Sequence, residues 1–302
     1  MRELSYELVD VFTDVAFGGN QLAVFTEPGD LPAETMQKIA RELNLSETVF
    51  VLPPQDAANH FHLRIFTPGM ELPFAGHPTV GTGFVLHRLG KTADTQLRLE
   101  EGVGVIEVGI QPQPGGKVLV TMQQPVPQFG TIYEDRATLA AVLSLSPDDL
   151  IDSLPAQVVS SGVPFLFIPV KGLREIGRSR VRLDLWEQHV RDFAAPHLFV
   201  FTPEVERSGS TVHSRMFAPA MGIAEDPATG GASGPLGAYL VRYGLARAAS
   251  EGVYTIVSEQ GLEMGRPSFI QITIQGTPDQ ITGASIGGYS QPIGRGFLYL
   301  PG

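Results

Sequence analysis

Short apolar runs broken by glycine and proline recur along the chain and predict β-strands. GGNQLAVF (18–25) and SGVPFLFI (161–168) each begin at a glycine turn and open into a mostly apolar run. ETVFVLPP (47–54) and HLFVFTPE (197–204) are rich in residues that favour strands, and proline follows each run. Similar runs fill much of the remaining sequence: VGVIEVGI, KVLVTM, GVYTIVSE and SFIQITIQ. The pattern therefore predicts a protein built mainly of strands.

Fewer segments have the three-to-four spacing of an amphipathic helix. In the first half, Asp30 is placed to cap a helix that has Pro32 near its first turn. One face of that helix carries four apolar residues: Met36, Ile39, Ala40 and Leu43. In the second half, Asp184 precedes LWEQHVRDFA, which has comparable spacing. Two further helices are predicted to start at His77-Pro78 and at Asp226-Pro227.

Three landmarks occur twice in the same order, which indicates an internal repeat. The first two are the pairs of strand runs described above. The third is RIFTPGMELPFAGHPTVGTG (64–83) in the first half and RMFAPAMGIAEDPATGGASG (215–234) in the second. This arrangement indicates two similar domains related by an approximate twofold axis. We expect an α+β fold with strand-rich halves at 1–125 and 126–282, and a final strand near GRGFLYL, within 283–302, that returns to the first half.

The segment AEDPATGGASG (224–234) places acids and several glycines directly before an apolar run. One interpretation is an anion site, since exposed amides at a helix start bind anions and glycine lets a ligand approach the backbone. The other is an ordinary helix start, with Asp226 as the N-cap and Pro227 at the first helical position. The two interpretations are compatible, and the sequence leaves both open.

The repeat extends the anion-site interpretation to both halves. If the twofold axis brings the two helix starts to a cleft between the domains, one edge presents His77 and the other Asp226. Backbone amides around Gly76, His77, Gly230 and Gly231 would then bind a carboxylate. We therefore expect a small carboxylic acid as the ligand.

Composition restricts the classes of function. The 302-residue chain has a formal net charge of −11, which argues against binding a nucleic-acid backbone or an anionic membrane surface. The segment MRELSYELVD lacks the apolar core of a signal peptide, so we expect a cytoplasmic protein. The chain has no cysteine, which excludes thiol acid/base pairs and cysteine-ligated zinc. His60 and His62 share a strand face without a third ligand nearby in sequence, so no metal site is expected.

Four segments, GGNQLAV, NLSETVFV, FTPGMELPFAGHPTVGTG and MFAPAMGIAEDPATGGASG, together resemble the PhzF-like phenazine-biosynthesis proteins. That family lies within the wider diaminopimelate-epimerase and proline-racemase fold. The resemblance runs from near residue 8 to the C-terminus. It implies two pseudo-symmetric domains, each a strand-rich roll around a central helix, with the active site between them and a homodimeric assembly.

The resemblance also implies the chemistry. Epimerases and racemases of this fold exchange a proton between two cysteines, and this chain has none. The PhzF-like branch uses a glutamate instead, which by motif match is Glu47 of NLSETVF. His77 and Asp226 match the residues that assist it, and the glycines after each match carboxylate-binding loops. The known branch member isomerises trans-2,3-dihydro-3-hydroxyanthranilate by moving a proton and a double bond without a cofactor.

This chain departs from the family pattern at two places. The family commonly has Gly-Asn-Pro and Thr-Gly-Ser-Ala where this chain has Gly19-Asn20-Gln21 and Thr229-Gly230-Gly231-Ala232. A serine hydroxyl is therefore missing at Gly231, although the backbone amide remains. Asn20 is interpreted either as a hydrogen-bond partner of the substrate or as a turn residue before a strand.

Three functional hypotheses follow. The leading one is a cofactor-independent isomerase of a small amino or hydroxy carboxylic acid, with Glu47 as the general acid and base. The second is an amino-acid epimerase that uses Glu47 with His77. The third is a binding protein that keeps the carboxylate site without turnover.

Overall fold

Two units make up the structure, a computed structural model that describes residues 2–300. Unit 1 comprises the chain up to Gln123 together with the segment from Gly287 onward, and unit 2 comprises Gln124–Ile286. None of the helices within residues 2–300 is long and apolar enough to cross a bilayer.

Unit 1 consists of strands and two helices. Its strands up to the unit boundary are β1 (Arg2–Val11), β2 (Asn20–Phe25), β3 (Glu47–Leu52), β4 (Phe61–Phe66), β5 (Glu71–Leu72), β6 (Gln96–Glu101), β7 (Gly104–Pro112) and β8 (Val118–Gln124). Its helices are α1 (Ala33–Leu43) and α2 (Gly76–Arg88).

Unit 2 has a similar content of strands and more helices. The strands are β9 (Gln128–Ile132), β10 (Gln157–Ser160), β11 (Pro164–Pro169), β12 (His197–Thr202), β13 (Val212–Ala218), β14 (Ile223–Asp226), β15 (Ala248–Ser250), β16 (Val253–Gln260), β17 (Ser268–Gly276) and β18 (Ile281–Gly288). The helices are α3 (Arg136–Val142), α4 (Leu173–Arg178), α5 (Leu183–His189) and α6 (Gly230–Arg242). The last strand of the described residues is β19 (Ser290–Leu300), which belongs to unit 1 and pairs antiparallel with β1.

The strands pair in the same way in both units. In unit 1, β1–β2, β3–β4 and β6–β7 are antiparallel, whereas β2–β3 and β4–β6 are parallel. In unit 2, β10–β11, β12–β13 and β16–β17 are antiparallel, whereas β11–β12 and β13–β16 are parallel. This shared topology confirms the predicted α+β fold with two pseudo-symmetric, strand-rich halves.

The central helix of each unit lies against its strands without a solvent-facing side over most of its length. In unit 1, α2 packs on β1, β2 and β7, and every residue of α2 from Gly76 to Leu86 is buried. In unit 2, α6 packs on β10, β11, β16 and β17. Glycine permits the close approach, because a Cβ atom at Gly81 would lie 2.6 Å from Leu22 Cδ2. A helix buried on all sides explains why these segments lack an amphipathic pattern.

The opposite face of the unit 1 sheet is covered by α1. Its buried residues Met36, Ile39 and Ala40 lie in one core cluster with Phe25 and Phe50. The two phenylalanine rings stack with their centroids 4.9 Å apart. The spacing predicted this apolar helix face correctly.

Two predicted helix starts need small corrections. The N-cap position of α1 is occupied by Pro32, whose carbonyl accepts from two amides of the first turn, and Asp30 does not cap the helix. Asp184 lies within the first turn of α5, which begins at Leu183, rather than before the helix. In both cases the helix start is set by backbone conformation and not by an acidic cap.

The predicted helix start at Asp226-Pro227 was wrong. Asp226 is the last residue of β14, where it pairs with Met216 of β13, and α6 begins at Gly230. Because Asp226 belongs to the sheet ladder, the helix can start only after it. In unit 1, by contrast, α2 begins at Gly76, as the motif around His77-Pro78 predicted.

Candidate active site

Strand alternation places two predicted site residues on the sheet face that α2 covers. Leu22 lies against Gly81 of α2, and Asn20, two residues earlier in β2, shares its side-chain direction. Glu47 pairs with Leu22 in the parallel β2–β3 ladder and therefore points to the same face. Three residues later in β3, Phe50 faces the α1 cluster, as the alternation requires.

His77, in the first turn of α2, contacts both of these side chains. Its Nδ1 lies 3.3 Å from Nδ2 of Asn20, and its Nε2 lies 3.3 Å from Oε2 of Glu47. The cluster is buried, with 5% of the His77 side chain and 12% of the Glu47 side chain exposed. An amide nitrogen only donates, so Nδ1 accepts from Asn20. The ring proton therefore sits on Nε2, the nitrogen nearer the Glu47 carboxyl group.

The surroundings of His77 keep its ring neutral. Burial lowers the pKa of His77 to about 3, against a smaller opposing effect from the backbone of Gln21. The imidazole is therefore neutral at physiological pH. A neutral imidazole beside Glu47 supplies no second mobile proton. In this cluster Glu47 is thus the group suited to accept a proton and return it.

The predicted residues of unit 2 form a second buried cluster. Asp226 is 6% exposed, and its Oδ2 accepts from Thr229 Oγ1 at 2.6 Å. Gln260, at the end of β16, accepts from the Thr229 amide at 3.1 Å and donates to the Asp226 carbonyl at 2.7 Å. The Asp226 carboxylate is thereby held next to the start of α6 through Thr229, the N-cap residue.

The predicted glycines occupy the two helix starts. Gly76 is the first residue of α2, and Gly230 and Gly231 are the first two residues of α6. Amides of a first helical turn have no acceptor within the helix, so these positions suit an anion. A Cβ atom at Gly231 would meet no other atom within 4 Å, and the backbone there is not left-handed. Neither packing nor backbone strain requires glycine at that position.

Sequence reasoning missed the residues that hold these helix starts. Glu101 Oε1 lies 2.5 Å from Oγ1 of Thr79 in α2, and Gln260 Nε2 lies 2.9 Å from the N-cap threonine of α6. The repeat contains the signal that would have found them. EEG (100–102) in the first half corresponds to EQG (259–261) in the second.

The structure thus brings Asn20, Glu47 and His77 together in unit 1, and gathers Asp226 and the α6 glycines in unit 2. No group of three or more histidine or acidic side chains within residues 2–300 is arranged to hold a metal ion.

Known proteins resemble this chain over nearly its whole length. A sequence model of the phenazine biosynthesis-like protein family, PhzC-PhzF, matches residues 9–294. A trans-2,3-dihydro-3-hydroxyanthranilate isomerase from Pseudomonas fluorescens is 34% identical, over 98% of this chain and 99% of its own. The crystal structure of a PhzF-family phenazine biosynthesis protein from Bacillus anthracis superposes with a TM-score of 0.89, at 26% identity over 99% of this chain and 100% of its own. A hydroxyproline epimerase from Agrobacterium vitis shares the fold, with a TM-score of 0.63 at 14% identity over 98% of this chain and 92% of its own.

Proposed function

Because the chain belongs to the phenazine biosynthesis-like protein family and is an isomerase, we propose that it moves a proton on a small amino or hydroxy carboxylic acid, with Glu47 as the general acid and base. The observation that carries the proposal is the buried contact between Glu47 and neutral His77. The relatives named trans-2,3-dihydro-3-hydroxyanthranilate isomerase make that compound the first substrate to test.

The proposed reaction is an allylic proton shift. The Glu47 carboxylate removes a proton from one carbon, and the electron pair of the broken C–H bond forms a new C=C bond. The electron pair of the original C=C bond then takes the proton back from Glu47 at the far carbon. Atoms and electrons balance within the substrate, so the reaction consumes no redox equivalent and no second reactant.

The other site residues bind and orient in this proposal. His77 lies with its Nε2 3.3 Å from one Glu47 oxygen and would position that carboxylate, and Asn20 would fix the His77 tautomer. Asp226 would hold a substrate amine by a charge-assisted hydrogen bond. The amide at Gly76 in unit 1, and the amides at the first residues of α6 in unit 2, are each suited to bind a carboxylate. The homodimer implied by the family resemblance remains a prediction, which sedimentation of the purified protein tests.

Incubation with candidate acids in deuterated water tests the proposal. An isomerase introduces deuterium and moves the double bond, an epimerase introduces deuterium and inverts a stereocentre, and a binding protein introduces none. Glu47→Gln keeps the size and shape of the side chain but cannot exchange a proton at neutral pH. We expect it to lower kcat on the order of a hundredfold or more.

Glu42→Gln, on the exposed side of α1, is the matched control for that variant. It should leave turnover and deuterium incorporation unchanged. Near-normal turnover by a folded Glu47→Gln protein would assign the acid/base role to another group.

A further inference from the structure

The two hydrogen bonds around Thr79 require that Glu101 carries a proton. Thr79 Oγ1 lies 2.7 Å from the carbonyl oxygen of Ala75 and 2.5 Å from Oε1 of Glu101. The hydroxyl carries one proton, and both neighbouring oxygens only accept when Glu101 is ionised. If Glu101 is protonated, its O–H donates to Thr79, and Thr79 donates to Ala75. Each of the two contacts then contains one proton.

The surroundings of Glu101 favour the protonated state. Glu101 is 7% exposed and shares one face of β6 with buried Leu97 and Leu99. Burial raises the pKa of Glu101 to about 8, against hydrogen bonds from Thr79 and from the Ala75 backbone that lower it. Burial and the raised pKa thus support a protonated Glu101, as the number of protons needed for the two Thr79 hydrogen bonds does.

No neighbouring charge offsets this burial within the described residues. From α2, the first turn presents His77, which is neutral, and no acidic residue. From β7, the residue paired with Glu101 is Gly104. Glu100 is the adjacent residue of β6, and backbone amides of Gln55 and Asp56 hold its carboxylate.

The internal repeat supplies an independent comparison. His62 pairs with Glu100 in the parallel β4–β6 ladder, and His213 pairs with Glu259 in the parallel β13–β16 ladder. Both glutamates also accept from two consecutive backbone amides of matching loops: Gln55 and Asp56 in unit 1, Glu206 and Arg207 in unit 2. The residues that follow them are therefore equivalent, so Glu101 corresponds to Gln260.

Gln260 uses a neutral amide where unit 1 has a carboxyl group. Its Nε2 donates to Thr229 Oγ1 at 2.9 Å, and Thr229 donates to Asp226 Oδ2 at 2.6 Å. The order is the same as in unit 1: a donor at the end of a strand, a threonine hydroxyl, and an acceptor just before the central helix. The Gln260 amide does not ionise at neutral pH, so in unit 2 the hydrogen bond to Thr229 does not depend on a titrating proton.

We propose that Glu101 is held as a neutral carboxylic acid and is the positioning residue for the first turn of α2, the counterpart in unit 1 of Gln260. Through Thr79, Glu101 connects the first turn of α2, which carries His77, to β6. This connection positions His77 against Glu47. Loss of the Glu101 proton removes the donor to Thr79 and loosens that turn. The kinetic part of this inference rests on the proposed function, whereas the protonation state does not.

The protonation state is measured without any substrate. Infrared spectra at pH 7 should contain a carboxylic-acid C=O band that is missing from Glu101→Gln and present in Glu107→Gln, an exposed control on β7. Raising the pH through about 8 should convert the band to carboxylate absorption. A group with a raised folded-state pKa destabilises the fold as pH rises, so the melting temperature of Glu101→Gln should exceed that of wild type at pH 8 and approach it at pH 5.

The positioning role is measured by kinetics. Glu101→Gln keeps a neutral donor, as Gln260 does, and should retain most of kcat at pH 7. It should also lack the loss of kcat that we expect of wild type as pH rises through about 8. Glu101→Ala removes the donor and should lower kcat more than KM changes, by about tenfold or more for a misplaced catalytic group.

Specific results would overturn each part. The neutral-acid assignment fails if wild type and Glu101→Gln have the same infrared spectrum and the same dependence of melting temperature on pH. The positioning role fails if Glu101→Gln loses as much kcat as Glu101→Ala, or keeps the alkaline loss of wild type. If no candidate acid is turned over while the infrared band is found, the proposed function fails and the neutral acid stands.

Discussion

A charged histidine inside unit 2 makes the stability of that unit depend on pH. His213 is fully buried, with its Nδ1 3.0 Å from Glu259 Oε1 and its Nε2 3.0 Å from Glu263 Oε1. Carboxylate oxygens only accept, so both ring nitrogens must carry protons and the ring is an imidazolium. Burial alone would lower the pKa of His213, but the hydrogen bonds and charges of the two glutamates raise it to about 9.

The size of the effect follows from the difference between the folded and unfolded states. The pKa rises from 6.5 in the unfolded chain to about 9, which corresponds to about 3 kcal/mol at 1.36 kcal/mol per pKa unit. Because the folded-state value is the higher one, this stabilisation is fully present below pH 6.5 and is lost as pH rises through about 9.

Urea unfolding followed by tryptophan fluorescence measures this loss. Trp186, the only tryptophan of the chain, is buried in the core of unit 2 and therefore reports on the unit that contains His213. Wild type should lose about 3 kcal/mol more than His213→Gln between pH 6.5 and pH 9. The difference between the two proteins cancels the contribution of Glu101, which both contain.

His62→Gln is the matched control, because His62 is the unit 1 counterpart and bonds to the side chain of Gln55 instead of a carboxylate. It should follow the pH dependence of wild type. Parallel curves for wild type and His213→Gln across this range would refute the imidazolium assignment.

The remaining predictions concern the central helices and the His77 tautomer. Gly81→Ala should lower the free energy of unfolding by about 1–3 kcal/mol through overpacking against Leu22. Gly231→Ala has open space at its Cβ and should be neutral or stabilising by up to ~1 kcal/mol. Urea unfolding of both variants measures the difference. Gly231→Ser should keep affinity for carboxylates, whereas Gly231→Val should weaken it because a β-branched side chain blocks the amides. An equal loss of carboxylate affinity in both variants, measured by calorimetry, would count against an anion site. Asn20→Ala removes the donor to His77 Nδ1 and should lower kcat on the order of tenfold, from about 1–3 kcal/mol for a lost buried hydrogen bond; unchanged kcat would contradict the assigned tautomer.

Most of the fold prediction came from the internal repeat and from the short apolar runs that indicate strands. Proline and glycine bound short apolar runs, and their period of two decides which residues share a sheet face. The structure places Asn20, Leu22 and Glu47 on one face of β2 and β3. Helix starts were less predictable. Asp226 looked like a cap in the sequence and became the last residue of a strand, because a ladder partner at Met216 competes with local capping.

The sequence by itself determined the internal repeat, the strand-rich character of both halves, and the residue types available for proton transfer. Only the tertiary structure decided their protonation states, because these depend on burial and on contacts between distant segments. His77 is neutral through burial, whereas His213 is charged through two carboxylates. Glu101 likewise acquires its raised pKa from burial at the end of β6.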